Sequence, residues 1–170
     1  MKVVAFYSFK GGVGRTMSLL SAAYMLAVRG RRVVVADWDL QAPGLSLMEC
    51  MWPAGAGLPQ AGVLEYLTSL RPNHRALPRV TAQSLIARPR LIAEAQQRKT
   101  AQGQRWMKGD LLFIPAGNLG GGVDRFIETV KQTEIHNLKQ FLADLDQDPR
   151  MVFKVFCEEV RTASIPWDGE

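Results

Sequence analysis

The feature that most constrains this chain is a glycine-rich stretch at residues 9–16. It reads Phe9-Lys10-Gly11-Gly12-Val13-Gly14-Arg15-Thr16. The β-forming run Val3–Tyr7 precedes it, and apolar residues at helical spacing follow it. The order of strand, glycine-rich turn and helix predicts a phosphate-binding loop. Glycines let several backbone N–H groups approach one anion, and the positive end of the helix dipole faces the same anion.

Thr16 lies one residue into the predicted helix, where its hydroxyl can reach a Mg²⁺ ion that is bound to the phosphates. The standard pattern G-x-x-x-x-G-K-[ST] fails at Phe9 and at Arg15. The stretch resembles instead the deviant Walker A motif, x-K-G-G-x-x-K-[ST], of the MinD/ParA family of P-loop ATPases. It departs from that motif only at Arg15.

The resemblance implies that ATP and Mg²⁺ are the cofactors. The implied nucleotide-binding residues are Lys10, Gly11, Gly12, Val13, Gly14, Arg15 and Thr16. It also implies that Lys10 reaches across a dimer interface to the partner's nucleotide and takes part in catalysis. Arginine and lysine both neutralise phosphate, but their geometries differ, so the substitution leaves hydrolysis open.

Two carboxylates, Asp37 and Asp39, end a second predicted strand at residues 31–37. Ligands of parallel α/β sheets bind at this carboxyl end. In the resembled family a D-x-D at this place belongs to switch I. The resemblance gives Asp37 a part in holding Mg²⁺ through water, and it gives Asp39 the task of orienting the attacking water. The alternative is a pair of carboxylates on a surface turn.

The segment that continues this motif, Trp38 with Gln41-Ala42-Pro43-Gly44, resembles family members that are linked to bacterial signalling modules. It therefore implies a protein partner or effector module. In the next loop, we expect Met48, Met51 and Trp52 to pack on the sheet edge rather than form an exposed patch.

Composition narrows the class of protein. The length of 170 residues fits one domain, and the apolar content of 47% is ordinary for a soluble protein. No apolar run approaches the ~20 residues that cross a bilayer. Two cysteines favour a reduced, cytoplasmic setting over a disulfide framework. Two distant histidines argue against a zinc site or a Ser/His/Asp triad.

The net charge of +5 is concentrated in residues 71–108, which carry nine basic side chains and one acidic side chain. We interpret this segment as a basic helical insertion, with a helix at about 82–102. Its charge fits DNA phosphates, an acidic protein partner or a solvated face. Because aromatic residues are scarce there, we favour a partner or a solvated face over nucleic acid.

The remaining patterns predict a short helix at 62–70 and a third strand with its exit turn at 110–118. They also predict helices over 123–147 with a break near 133. Residues 151–160 carry signals for both strand and helix, and we favour helix.

The sequence thus predicts an α/β fold: a P-loop NTPase-like, doubly wound, mostly parallel sheet with helices on both faces, in one domain over residues 1–170. P-loop ATPases need a further strand that ends in Asp, which in the resembled family is inserted between the first two strands. Residues 118–170 contain no such pattern. We therefore expect a domain that is incomplete at its C-terminus, through a chain cut short or a sheet completed by another chain. A rearranged sheet filled by residues 151–157 is the third possibility.

The expected function is an ATP-dependent dimerising switch, in which Mg²⁺-ATP pairs two protomers and hydrolysis releases them. ATPase activity would require a completed domain. The alternative is a non-hydrolysing nucleotide-binding or protein-interaction module, and Arg15 is the residue that favours it.

Overall fold

The computed structural model describes residues 1–6, 12, 14–53, 57–70, 80–104 and 106–164. In chain order the helices and strands are α1 (Arg15–Val28), β1 (Arg32–Ala36), α2 (Val63–Thr68), α3 (Arg90–Gln97), β2 (Asp110–Ile114), α4 (Val123–Gln132), α5 (Leu138–Asp144) and α6 (Pro149–Thr162). Short 3₁₀ turns lie at Glu49–Met51, Ala82–Leu85 and Ile135–Asn137.

The two described strands, β1 and β2, form a parallel pair. Arg32 lies opposite Asp110 at one end, and Ala36 lies opposite Ile114 at the other. Parallel strands need a long crossover connection, here residues 37–109. The predictions of a strand at 31–37 and of another beginning at Asp110 are both confirmed.

Helices cover both faces of this sheet. Alternate residues of a strand point to opposite faces, and here they pack into two different apolar clusters. Val35, Leu111 and Phe113 pack with residues of α1 and α3. Val34 and Ile114 pack with residues of α2, α4, α5 and α6. All five residues of β2 are buried, as expected of a strand that is covered on both sides. The described part is therefore a mixed α/β structure with a parallel sheet between helical layers.

Most of the predicted helices are confirmed at their expected places. α1 ends before Gly30, whose φ of 88° is the left-handed conformation that favours glycine. The break near 133 separates α4 from the 3₁₀ turn and α5. α6 begins at Pro149, and the side chain of Asp148 accepts a hydrogen bond from Arg150 N–H as its cap. Since residues 151–157 are helical, the idea that they fill a gap in the sheet was wrong.

Two predicted elements differ from the structure. The described part of the predicted first strand, residues 3–6, pairs with no strand, and Val3 and Val4 are exposed. A single strand without a neighbour has no ladder hydrogen bonds to hold it. The doubly wound order expected from the sequence is therefore not seen among the described residues.

The single helix predicted at 82–102 is also wrong. Ala87 exchanges two backbone hydrogen bonds with Phe113, at 2.9 and 2.8 Å. It therefore pairs with β2 on the edge opposite β1. Pro89 follows in an extended conformation and caps α3, because proline cannot continue a helix from the preceding turn.

Candidate functional site

The described part of the glycine-rich stretch consists of Gly12 and residues 14–16. Gly12 and Gly14 have φ values of +73° and +75°, and a Cβ atom at either would meet no other atom within 4 Å. These glycines are therefore required by backbone conformation rather than by close packing. Gly14 precedes α1 without a side-chain cap, and the first turn of α1 contains no acidic residue. This helix start is thus suited to an anion.

Lys10, Gly11 and Val13 lie outside the described residues, and the roles that the resemblance gave them stay predictions.

The carboxylate of Asp37 lies at the end of β1 and is 5% exposed. Its Oδ2 accepts hydrogen bonds from the N–H and the hydroxyl of Ser46, at 3.0 and 2.8 Å. Its Oδ1 accepts one from Asp39 N–H at 3.2 Å. Burial raises the pKa of Asp37 above its usual value, although the hydrogen bonds from Ser46 oppose that shift. These hydrogen bonds join Asp37 and Ser46, the two ends of the loop 37–46.

Asp39 lies in this loop and forms an ion pair with Arg15 in the first turn of α1. About a third of each side chain is exposed. The other carboxylate oxygen of Asp39 accepts a hydrogen bond from Ala42 N–H at 3.1 Å. The structure therefore brings together Arg15 and Asp39, which the sequence had placed in separate motifs.

Two residues of the same loop were missed as functional candidates. Ser46 is fully buried, and its Oγ also accepts a hydrogen bond from Ala116 N–H at 2.8 Å. Gly44 lies against Thr16, because a Cβ at position 44 would be 2.9 Å from Thr16 Oγ1. Gly44 belongs to the quoted motif tail, whereas nothing in the sequence pattern singles out Ser46.

Trp38, between the two carboxylates, packs on α6. Its ring lies edge-on to Phe153 and Phe156, with centroids 5.6 and 5.0 Å away. The prediction that Met48, Met51 and Trp52 pack on the protein rather than form an exposed patch is confirmed. Met51 is fully buried, Met48 packs against the same apolar cluster, and Trp52 Nε1 donates to the carbonyl of Ser46. These contacts fix the loop from both sides.

The turn after β2 is bound tightly to α2. Val63 and Leu64 N–H donate to the carbonyls of Pro115 and Ala116 at 2.9 and 2.8 Å. The carboxylate of Glu65 accepts hydrogen bonds from Gly62 N–H and Asn118 N–H. Burial raises the pKa of Glu65. Because the N–H groups at the start of α2 already donate to acceptors within the protein, this helix start is not an anion site.

The basic segment makes ion pairs within the described protein. Arg88 binds the buried carboxylate of Asp110 at 2.7 Å, and Arg90 lies 3.8 Å from Glu49 and 3.5 Å from Glu94. Arg88 and Arg90 therefore have structural partners. The basic residues within 71–79 and at position 105 lie outside the described part of the chain, so nucleic-acid binding by the segment stays a prediction.

The residues suited to Mg²⁺ are few. Within the described ranges, no group of three His, Cys, Asp or Glu side chains could hold a metal. Mg²⁺ in nucleotide sites needs only one or two protein ligands, because phosphates and water supply the rest. The Thr16 hydroxyl beside the loop 37–46 fits that arrangement.

Comparison with known proteins bears on this same part of the chain. Residues 1–52 match a family model that describes an AAA domain. The match indicates a P-loop NTPase of the MinD/ParA-like type. It covers the glycine-rich stretch, α1, β1 and the loop 37–46, and it indicates nucleotide binding by a P-loop NTPase. No curated protein and no solved structure gives a significant match. No described helix has the length and apolar character that a membrane span requires.

Proposed function

We propose that this chain binds Mg²⁺-ATP and acts as an ATP-dependent switch that pairs two protomers. The observation that carries the proposal is the ion pair between Arg15 and Asp39. In this pair, Arg15 is the residue expected to bind phosphate, and Asp39 carries the carboxylate expected to orient the attacking water.

The pair supports a switch because one guanidinium serves two anions. A nucleotide phosphate that binds at the start of α1 competes with Asp39 for Arg15. The two negative groups also repel each other. Nucleotide binding therefore weakens the contact that ties the loop 37–46 to α1, and hydrolysis followed by phosphate release restores it.

The other assignments are those that the motif and its resemblance to the MinD/ParA family imply. Backbone N–H groups near Gly12 and Gly14 bind phosphate, and the Thr16 hydroxyl binds Mg²⁺. Asp37 holds the metal through water, and Lys10 reaches the partner's nucleotide. Bound Mg²⁺ would neutralise charge on the phosphates during phosphoryl transfer.

The second candidate is a nucleotide-binding module that does not hydrolyse ATP. It is favoured by the same contact, because Asp39 bonds through one oxygen to Arg15 and through the other to Ala42. These two bonds restrict the orientation of the carboxylate and reduce the number of acceptor positions that remain for an attacking water molecule.

Calorimetry with ATP and Mg²⁺, together with a phosphate-release assay, separates the candidates. Binding with turnover supports the switch, and binding without turnover supports the second candidate. Absence of binding would contradict both.

Dimer formation is tested separately, by light scattering with and without ATP. We expect Lys10→Ala to bind ATP as a monomer but to pair poorly. If Lys10→Ala pairs as well as the parent protein, the role of Lys10 is wrong.

A further inference from the structure

Ser46 is fully buried and connects three parts of the protein. Its N–H and hydroxyl reach Asp37 at the end of β1. Its Oγ accepts from Ala116 N–H in the turn after β2, and its carbonyl accepts from Trp52 Nε1 at 3.1 Å. One small side chain therefore links the ends of both strands.

These bonds determine where the hydroxyl proton of Ser46 lies. The amide of Ala116 can only donate, so Ser46 Oγ must accept from it. The hydroxyl proton is then left for the carboxylate of Asp37, which can only accept when ionised. Replacing the hydroxyl would remove a donor to Asp37 and an acceptor for Ala116 at the same time.

The same bonds determine how much of Asp37 is available to a ligand. An ionised carboxylate has about four acceptor positions. Ser46 occupies two of them on Oδ2, and Asp39 N–H occupies one on Oδ1. Within the described residues, one acceptor position is thus left, and it belongs to Oδ1. One water molecule can use it, whereas a metal that binds both carboxylate oxygens would have to displace existing bonds.

We infer that Ser46 is a positioning residue, which fixes the carboxylate of Asp37 so that one Oδ1 position receives a water bound to the Mg²⁺ of the nucleotide. The inference rests on the proposed nucleotide site. Hydrogen-bonded groups that orient metal-binding residues typically contribute 10- to 100-fold to metal affinity.

The test is a double-mutant cycle on the gain in ATP affinity that Mg²⁺ gives over EDTA, measured by calorimetry. The variants are Ser46→Ala, Asp37→Asn and the double substitution. Val130→Ala, a core change in α4, is the control for lost stability. We expect Ser46→Ala to reduce the Mg²⁺-dependent gain about tenfold, and to have no further effect when Asp37→Asn is present. Val130→Ala should leave the gain unchanged.

Hydrogen exchange in the nucleotide-free protein gives an independent measurement. Exchange of the Ala116 amide should accelerate in Ser46→Ala and not in Val130→Ala. If Ser46→Ala does not fold, Ser46→Cys keeps the shape with a weaker donor, and a smaller loss of the Mg²⁺-dependent gain is expected.

Three results would overturn the inference: an unchanged gain in Ser46→Ala, additive losses in the double variant, or unchanged protection of the Ala116 amide. If the parent protein itself binds no ATP, the proposed function fails first, and the inference fails with it. The parent measurement therefore tells the two failures apart.

Discussion

Arg15, the first residue of α1, forms an ion pair with Asp39 in the loop after β1. The two residues are 24 positions apart in the chain. Since the pair is partly exposed, it contributes modestly to stability, about 0.5 kcal/mol by analogy with measured surface pairs. Its importance lies in the position of Arg15, where a phosphate is expected.

The first prediction concerns this pair. Asp39→Asn should bind ATP about two- to threefold more tightly than the parent, because the carboxylate of Asp39 no longer competes with phosphate for Arg15. Glu158→Gln, which removes an exposed carboxylate from α6, changes the net charge equally and is the control. Calorimetry measures both, and an equal gain in the control would show that the effect is not specific to Arg15.

The second prediction concerns the backbone of the glycine-rich stretch. Gly12→Val should abolish ATP binding, because a β-branched side chain is excluded from the left-handed conformation and would block the phosphates. Gly103→Val is the control, since Gly103 has a similar φ of +76° and also faces open space. Each substitution should cost about 1–2 kcal/mol of stability. Unchanged ATP affinity in Gly12→Val would refute the site.

The third prediction concerns the contact between Gly44 and Thr16. A Cβ in Gly44→Ala would be 2.9 Å from Thr16 Oγ1, so the hydroxyl must move. We expect about a tenfold loss of the Mg²⁺-dependent part of the ATP affinity, with little change in EDTA. Thr16→Ala should lose the same part. Gly120→Ala is the control, because its Cβ would meet the end of the flexible Gln60 side chain. A loss of equal size in EDTA would point to a general distortion instead.

The fourth prediction is a pH dependence that arises from Glu65. Burial raises its pKa above the ordinary value of 4.5, so the folded protein holds this proton more tightly than the unfolded chain does. The free energy of unfolding of the parent, relative to Glu65→Gln, should be largest below pH 4.5 and should fall as the pH rises through the raised pKa.

Urea denaturation between about pH 4 and 7 measures this difference. Glu94→Gln, which removes an exposed carboxylate from α3, controls for the change in net charge. If the free energy of unfolding of the parent, relative to Glu65→Gln, grows with pH, the assigned direction of the Glu65 pKa shift is wrong.

Local signals in the sequence determined most of the elements. The spacing of apolar residues predicted α1, the apolar run before Asp37 predicted β1, and Gly30 marked the end of α1. These predictions succeed because helix periodicity, strand propensity and glycine conformations depend on residues that are close in the chain. The glycine-rich stretch and Asp37 were also visible in this way.

The tertiary structure alone decided how the site is connected. Arg15 meets Asp39 across 24 positions, Asp37 meets Ser46 across 9, and Ser46 meets Ala116 across 70. It also decided that residues 3–6 pair with no strand, although they have strand propensity. Hydrogen bonds between distant residues depend on which segments pack together, and a strand exists only where a neighbouring strand supplies its partners. A local sequence pattern does not contain the information about which distant segments become neighbours.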